Sequence, residues 1–421
     1  MNNLKSINFL HKNAVAGQSR PLSDFRILLY SHDSYGLGHL RRNLAIARAL
    51  LERISNASIL IVTGSPCATL FPLPERCDVI KLPAVGKDKD GHYEPRSLNI
   101  SLDQVVALRR GLIMSAYESF DPDVILVDHK AAGLLDEVLP MIRRAHRDGK
   151  LNLFGVRDII DTPAVIEGTW CCRVCRRALE QYYDHVCIYG DELVFDAMQE
   201  YPLLTKLSHK VSMLGYVGTP QKKREYKPSP GAQKHVLVTV GGGDDGEQRI
   251  QAYLEALQLA PVDWTTQIIT GPLMDRQKIR YYKKYVKRSK LAGSVKIRHF
   301  HGDIPGLMRQ ADAVVGMAGY NSCVEILQSG TPAVLLPRDR MRQEQSIRAE
   351  RLAALGLVQS VPVNDVTALR NALERALAKC PSQSAMPDMN GLDNLCSLII
   401  RLSDLESSSA PARLGAGLGS E

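Results

Sequence analysis

One pattern appears twice in this chain and limits what it can fold into. Residues 26–31 read RILLYS, an apolar run of strand length. A glycine-bearing loop follows (HDSYGLGH, 32–39), then LRRNLAIARALLERI (40–54), whose apolar residues recur at helical spacing. At residue 235 the same unit starts again with little shared sequence: HVLVTV, then Gly241, Gly242 and Gly243, then a helical pattern through 257. Further strand-like runs at 58–65, 78–82, 121–130, 152–160, 185–191 and 210–217 complete the first half, with helical patterns at 98–119, 134–147, 167–183 and 192–201. In the second half strands are expected at 266–272, 295–300, 313–317, 333–337 and 357–361, and closing helices at 366–378 and 391–402. Alternating strands and helices imply parallel sheets covered on both faces. The expected fold is therefore α/β, with two doubly wound domains. Ligands in such folds bind outside the carboxyl ends of the strands, here in the cleft between the domains.

Residues 218–234 (GTPQKKREYKPSPGAQK) are proline-rich, charged and without an apolar face, as befits a linker. That sets a first domain at 25–217 and a second at 235–405, whose last helix is placed to pack back on the first. Residues 1–24 and 406–421 read as flexible tails. A chain of 421 residues, 45% hydrophobic and 23% charged, has ample material for two cores.

No run approaches the length of a transmembrane helix, and the first residues lack the apolar core and cleavage site of a signal peptide. The expectation is a cytoplasmic protein whose nine cysteines are free thiols. Cys171, Cys172 and Cys175, with His185 and Cys187 beyond, sit in a helical pattern and not in paired turns, so no metal site is expected. The net charge of +8 gathers at 143–147, 173–177, 222–224 and 278–290. These clusters read as solvated helix faces, with peripheral attraction to the anionic inner-membrane surface as the second reading. No nucleic-acid module accompanies them. The motifs G-x-S-x-G, G-x-x-x-x-G-K-[ST] and H-E-x-x-H are absent, which removes the main support for serine hydrolase, P-loop and metalloprotease chemistry.

Candidate site residues lie at the ends of the expected strands. Between 311 and 345 a strand leads through AGYNS into a helix. Gly319 permits close backbone approach there, and Asn321 or Ser322 can cap the helix, whose first N–H groups favour a diphosphate. Glu325, one turn on, could accept hydrogen bonds from sugar hydroxyls. The same Ser322 and Glu325 also match the capping box S-x-x-E, which would tie the carboxylate to its own helix. Gly241, Gly242 and Gly243 suggest close approach to a diphosphate, with Asp244 and Asp245 turned away or capping. In the first half, Gly36, Gly38 and His39 open the first helix, and His39 is a candidate general base. His32 and Asp33 share its loop and could serve instead. Arg41 and Arg42 are phosphate ligands or surface residues. Asp128–His129 and Arg157–Asp158 end two later strands, where a carboxylate orients a histidine or an acceptor, or forms an ordinary cap or ion pair; Asp191 is a weaker case. Residues 338–345 (RDRMRQEQ) form a loop able to read sugar hydroxyls.

GLGHLRRNLAIARALL, VLVTVGGG and HFHGDIPGLMRQADAVVGMAGYNSCVEILQSGTPAVLLP together resemble the GT-B glycosyltransferases, in particular the MurG-like enzymes of family 28. YSHDSYGLGHLRRNLAIARAL, GVRDIIDTP, YDHVCIYGD, LGYVG and EQSIRAERLAALGL extend the likeness, nearly end to end, to a group of predicted bacterial glycosyltransferases. The resemblance implies two Rossmann-like domains, the first mainly binding the acceptor and the second a nucleotide-sugar donor; the expected donor is a UDP-sugar, with no further cofactor. It implies that Phe300 through Ile304 border the base, Gly319 and Ser322 face the diphosphate, Glu325 holds the ribose, Glu344 and Gln345 face the donor sugar, and His39 acts near the reaction centre; Asp128 or Asp158, at its strand end, is the expected assistant. The acceptor it suggests is a saccharide or a lipid-linked saccharide. The sequence departs from MurG in a shorter first glycine loop, in GGGDDG without a serine, and in Arg348, where an asparagine is common.

Overall fold

The computed structural model describes residues 24–32, 38–88, 92–170, 172–219, 233–243, 245–338, 343–378 and 385–403. Asp33, Gly36, Cys171, Asp244, most of the expected linker, loop residues 339–342 and nearly all of both expected tails fall outside these ranges.

The first half runs β1 (Phe25–Ser31), α1 (Gly38–Arg53), β2 (Ala57–Thr63), β3 (Cys77–Lys81), β4 (Val85–Lys87), β5 (Tyr93–Pro95), α2 (Leu102–Phe120), β6 (Val124–Asp128), α3 (Leu139–Arg147), β7 (Leu151–Arg157), α4 (Pro163–Trp170), α5 (Arg173–Gln181), β8 (His185–Tyr189), α6 (Ala197–Glu200), α7 (Pro202–Lys206) and β9 (Val211–Met213). The second runs β10 (His235–Thr239), α8 (Glu247–Ala256), β11 (Thr265–Ile269), α9 (Arg276–Arg288), β12 (Val295–Arg298), α10 (Ile304–Gln310), β13 (Ala313–Gly316), α11 (Tyr320–Ser329), β14 (Ala333–Leu335), α12 (Glu344–Ala354), β15 (Gln359–Ser360), α13 (Val366–Ala378) and α14 (Gly391–Leu402).

Each half forms a parallel sheet, ordered β3-β2-β1-β6-β7-β8-β9 and β12-β11-β10-β13-β14-β15. Both wind outward from a central first strand and then reverse, which places a crevice at β1/β6 and another at β10/β13. Ile27 pairs with Val124 and Tyr30 with Val127, so the end of β1 lies beside the end of β6. Val236 pairs with Ala313 and Thr239 with Gly316, which brings the glycine turn after β10 beside the turn leading into α11. The strands hold these positions because their aliphatic residues are buried on both faces, as in Ile27, Leu28, Leu29, Val314 and Val334, all fully inaccessible.

One apolar cluster joins the halves through α1, Tyr216, Val217, α11 and α14. The last helix does return to the first half: Asn394 donates to Leu214 O at 2.9 Å, and Arg53 of α1 pairs with Asp393 at 2.6 Å.

Several elements differ from the periodicity reading. The helix expected from 98 begins at Leu102, where Ser101 and Gln104 form a capping box. The 167–183 pattern is two helices, with the Cys172 thiol accepting from Cys175 N to cap α5, so these cysteines serve a helix start. Among the described residues no group of His, Cys, Asp and Glu is placed to hold a metal ion, and no helix is long and apolar enough to cross a membrane. The β4–β5 hairpin was not expected, because neither three-residue strand carries an apolar alternation.

Candidate active site

The two crevices face each other across a cleft of about 220 Å³, lined from the first half by Gly38, His39, Arg41, Arg42 and Arg157 and from the second by the turns after β10, β11, β12 and β13.

On the first side, Asp128 leaves the end of β6 fully buried and meets α1. His39 Nδ1 lies 2.8 Å from its Oδ2, and Arg42 Nη2 donates to both carboxylate oxygens at 2.7 Å. Asn43 adds a bond to the backbone carbonyl of His39 at 3.1 Å. Burial alone would raise the Asp128 pKa. Arg42 and then His39 outweigh it and hold the carboxyl well below the usual range. An ionised Asp128 only accepts, so Nδ1 carries the proton toward it and the lone pair is left on Nε2. Arg42 Nη2 also lies 2.7 Å from Nδ1, a contact that cannot be a second hydrogen bond in this tautomer. The Arg42 guanidinium packs over Tyr189 and Tyr320, 5.5 and 5.4 Å from their ring centres. Arg42 is thus not a surface residue: it is buried against Asp128 beneath the cleft.

His32 and His129 complete a histidine cluster, their rings 6.1 and 4.8 Å from that of His39. Burial, and next the nearby Lys130 charge, push the His32 pKa well below normal, so it is neutral at neutral pH. His129 is buried at φ +73°, a conformation in which its N–H donates to Gly155 O at 2.7 Å. Strain of this kind, repeated at Leu135 (φ +48°) and Asp136 (φ +61°), gathers in the segment after β6.

On the second side, α11 starts at Tyr320 with Gly319 as N-cap and without any side-chain cap. Neither Asn321 nor Ser322 caps it, and the capping box with Glu325 does not form. The first intrahelical bond is Cys323 N to Gly319 O at 3.0 Å, so the turn of Tyr320, Asn321 and Ser322 presents its N–H groups toward the cleft. Asn321 reaches across to Gly38 O at 3.0 Å. Glu325 is buried and its carboxylate pairs with Arg41 of the opposite half. Burial raises its pKa, and Arg41 offsets part of that rise.

Gly241 and Gly242 line the cleft, whereas Gly243 does not. A Cβ on Gly243 would stand 2.1 Å from Thr270 O, and one on Gly271 would stand 2.4 Å from Gly241 O. Gly243 and Gly271 therefore let two turns pack together, and Gly241 and Gly242 are presented by that packing. Phe300, 42% exposed, and Ile304 border the same space.

Glu344 and Gln345, the first residues of α12, also reach the cleft. Glu344 pairs with Arg157 of the first half at 2.7 Å, and Gln345 accepts from Arg338 N at 3.1 Å. Asp158 is elsewhere. It is fully buried, held by Arg348 at 2.6 and 3.0 Å and by the Tyr216 hydroxyl at 2.9 Å, and it does not line the cleft. Instead of facing the cleft beside His39, as expected of an assistant to the base, its carboxylate pairs with Arg348 of the other half and accepts from Tyr216 of its own. Asp191 likewise accepts from Asp388 N at 2.6 Å, near α14.

Residues 235–399, the half that carries the β10 and α11 turns, match the model of the glycosyltransferase family 28 C-terminal domain. The fold is the GT-B arrangement of two Rossmann-like domains, and its second half resembles a glycosyltransferase domain. An uncharacterized glycosyltransferase of Methanosarcina mazei is 23% identical over 74% of this chain and 79% of its own length. The UDP-N-acetylglucosamine–N-acetylmuramyl-(pentapeptide) pyrophosphoryl-undecaprenol N-acetylglucosamine transferase of Exiguobacterium sibiricum is 23% identical over 43% of this chain and 48% of its own. Among solved structures, Acinetobacter baumannii MurG superposes with a TM-score of 0.56 at 13% identity, covering 90% of this chain and 99% of that one. A putative UDP-N-acetylglucosamine 2-epimerase from Listeria monocytogenes gives 0.60 at 12% identity, covering 91% and 97%. At such identities structural likeness speaks for the fold alone. The likeness to the transferases rests on the family 28 match of the second half.

Proposed function

We propose that this glycosyltransferase moves a hexosyl or N-acetylhexosaminyl group from a UDP-sugar to an acceptor hydroxyl, with inversion and without a divalent cation, in cell-envelope or exopolysaccharide synthesis. The observation that carries the reading is the opposition across one cleft of the His39–Asp128–Arg42 group and the uncapped start of α11. The acceptor oxygen attacks the anomeric carbon from the face opposite UDP and loses its proton to His39 Nε2, while the bond from that carbon to the diphosphate oxygen breaks. Asp128 keeps the imidazole in the accepting tautomer and stabilises the imidazolium that forms. The α11 N–H groups, Gly241 and Gly242 meet the departing diphosphate, and helix N-termini suit that charge. Glu325 accepts from the ribose hydroxyls, Phe300 and Ile304 flank the base, and Glu344 and Gln345 meet the sugar. The exposed Leu108 and Leu112, one turn apart on α2 and preceded by exposed Leu98 and Ile100, suit a lipid-linked acceptor at the inner-membrane surface.

Thermal melting with UDP, GDP, ADP and dTDP tests the donor. At a concentration of 100 Kd a ligand stabilises by about 2.7 kcal/mol, so UDP is expected to raise the melting temperature well above the other three. Glu325→Ala is expected to weaken UDP binding roughly tenfold, the scale of losing hydrogen bonds to a charged group. No response to UDP would remove the donor assignment. Product analysis then separates the reactions open to this fold: acceptor-dependent UDP release marks transfer, whereas an altered sugar or rapid UDP release without acceptor marks epimerisation or hydrolysis. Full activity in EDTA is the expected result for the cation-independent route.

A further inference from the structure

Arg41 and Arg42 are neighbours in sequence, but only Arg42 is committed to the protein interior. Successive helical residues point about 100° apart, and on α1 this turns Arg42 toward Asp128 and Arg41 into the cleft. Arg41 is 31% exposed in its side chain and pairs with Glu325 of α11, whose side chain is 10% exposed. The carboxylate that faces the cleft from the second half is therefore held by a cation from the first.

Glu325 lies one turn along α11 from Asn321 and Ser322, about 5 Å in rise. A long, flexible guanidinium can cross that distance without movement of the helix. A buried carboxylate stripped of its cation is costly unless other donors replace it, and a guanidinium freed from its carboxylate seeks another anion. A nucleoside diphosphate supplies both: hydroxyl donors on its ribose and negative charge on its diphosphate.

We propose that Arg41 is a partner-switching residue, which gives up Glu325 to the ribose hydroxyls and moves one turn along α11 to bind the donor's diphosphate. This rests on the nucleotide-sugar reading of the cleft and adds to it a cation for the leaving group, supplied by the acceptor-side half. No bond to Arg41 is made or broken covalently; two ion-pair partners are exchanged. The consequence is a pair of opposite effects. Arg41 competes with the ribose for Glu325, so it weakens binding of a nucleoside that has no phosphate. It also attracts phosphate, so it strengthens binding of the diphosphate.

The test compares wild type, Arg41→Ala and Arg41→Lys, each checked for native melting, in binding to uridine by ligand-detected NMR and to UDP by calorimetry. Arg41→Ala is expected to bind UDP about tenfold or more weakly, the scale of a lost charged hydrogen bond. The same variant is expected to bind uridine about threefold more tightly, the scale of releasing a partly exposed ion pair. Arg41→Lys retains a charge but not the planar fork, and its UDP affinity should fall between the two. If both ligands tighten, Arg41 is only a clasp on Glu325 and the diphosphate role fails. If both weaken, or neither changes, the exchange itself fails. If wild type binds neither uridine nor UDP, the nucleotide reading of the cleft falls, an outcome distinct from any seen only in the variants.

Discussion

His39→Ala lowers kcat by roughly 10²–10⁴, the range of a lost general base, while UDP affinity stays within about twofold, a change smaller than one hydrogen bond supplies. The split follows from the site. His39 sits on α1, on the proposed acceptor side, and its Nδ1 faces Asp128 at 2.8 Å. The proposed donor contacts come largely from the turns after β10 and β13. Removing the imidazole deprives the acceptor of its proton sink and leaves those contacts in place. Asp128→Asn should lose turnover as well, because an amide can donate to Nδ1 and favour the wrong tautomer. Arg42 and His39 keep the Asp128 pKa depressed against the effect of burial, so its charge contributes stability above the unfolded carboxyl range near pH 4, lost as pH falls through the lower folded value. Asp128→Asn should therefore also flatten the loss of stability on acidification. The measurement is steady-state kinetics with the donor in excess, beside UDP titration of each variant. Undiminished kcat in His39→Ala would move the base to another group.

The parts of this site that could be read in advance are those that depend on neighbouring residues. Strand and helix alternation, the glycine turn after β10 and the placing of His39 at the start of the first helix all appear in short windows. Partner identity does not. His39 and Asp128 stand 89 residues apart, and they meet because β1 and β6 are adjacent at the point where the winding reverses. A list of strand ends does not contain that order. The Ser322–Glu325 match failed for a related reason. S-x-x-E marks a helix start only if the serine is the N-cap, and Gly319, with extended ψ of 149°, starts α11 three residues earlier. Its uncapped N–H groups and the Arg41 pair of Glu325 emerge only once the second half faces the first. In the sequence Arg157 is only a charge at a strand end. Its pairing with Glu344 joins the end of β7 to the start of α12, across the halves, and no local spacing signals it.

Asp158→Ala destabilises the fold by about 3–5 kcal/mol, the cost of leaving one member of a buried ion pair alone. Arg348 is the member left behind. It is fully buried, and burial opposes its charge while Asp158 more than restores it, raising its pKa above normal. Its remaining bonds, to Ala318 O at 2.9 Å and Ile159 O at 3.2 Å, satisfy donors but supply no counter-charge. The pair spans the halves, from the end of β7 to α12, and Gly190 is needed beside it, since a Cβ there would lie 2.5 Å from that of Asp158. The arginine at 348, the departure from the asparagine common in MurG-like sequences, thus has its reason in Asp158: one carboxylate and one guanidinium lock the two sheets in register around Tyr320, whose ring centre is 5.9 Å from the Arg348 guanidinium carbon. Replacing both residues by leucine should recover most of the lost stability, because the charge and its partner leave together. The recovered protein should still lose activity if the relative setting of the two halves governs the distance from His39 to α11. Melting of the two single variants and the double variant measures the coupling, and kinetics below the melting range separates the roles. An Asp158→Asn variant that melts with wild type yet turns over 10²-fold more slowly would return Asp158 to the chemistry and overturn its assignment as a strut.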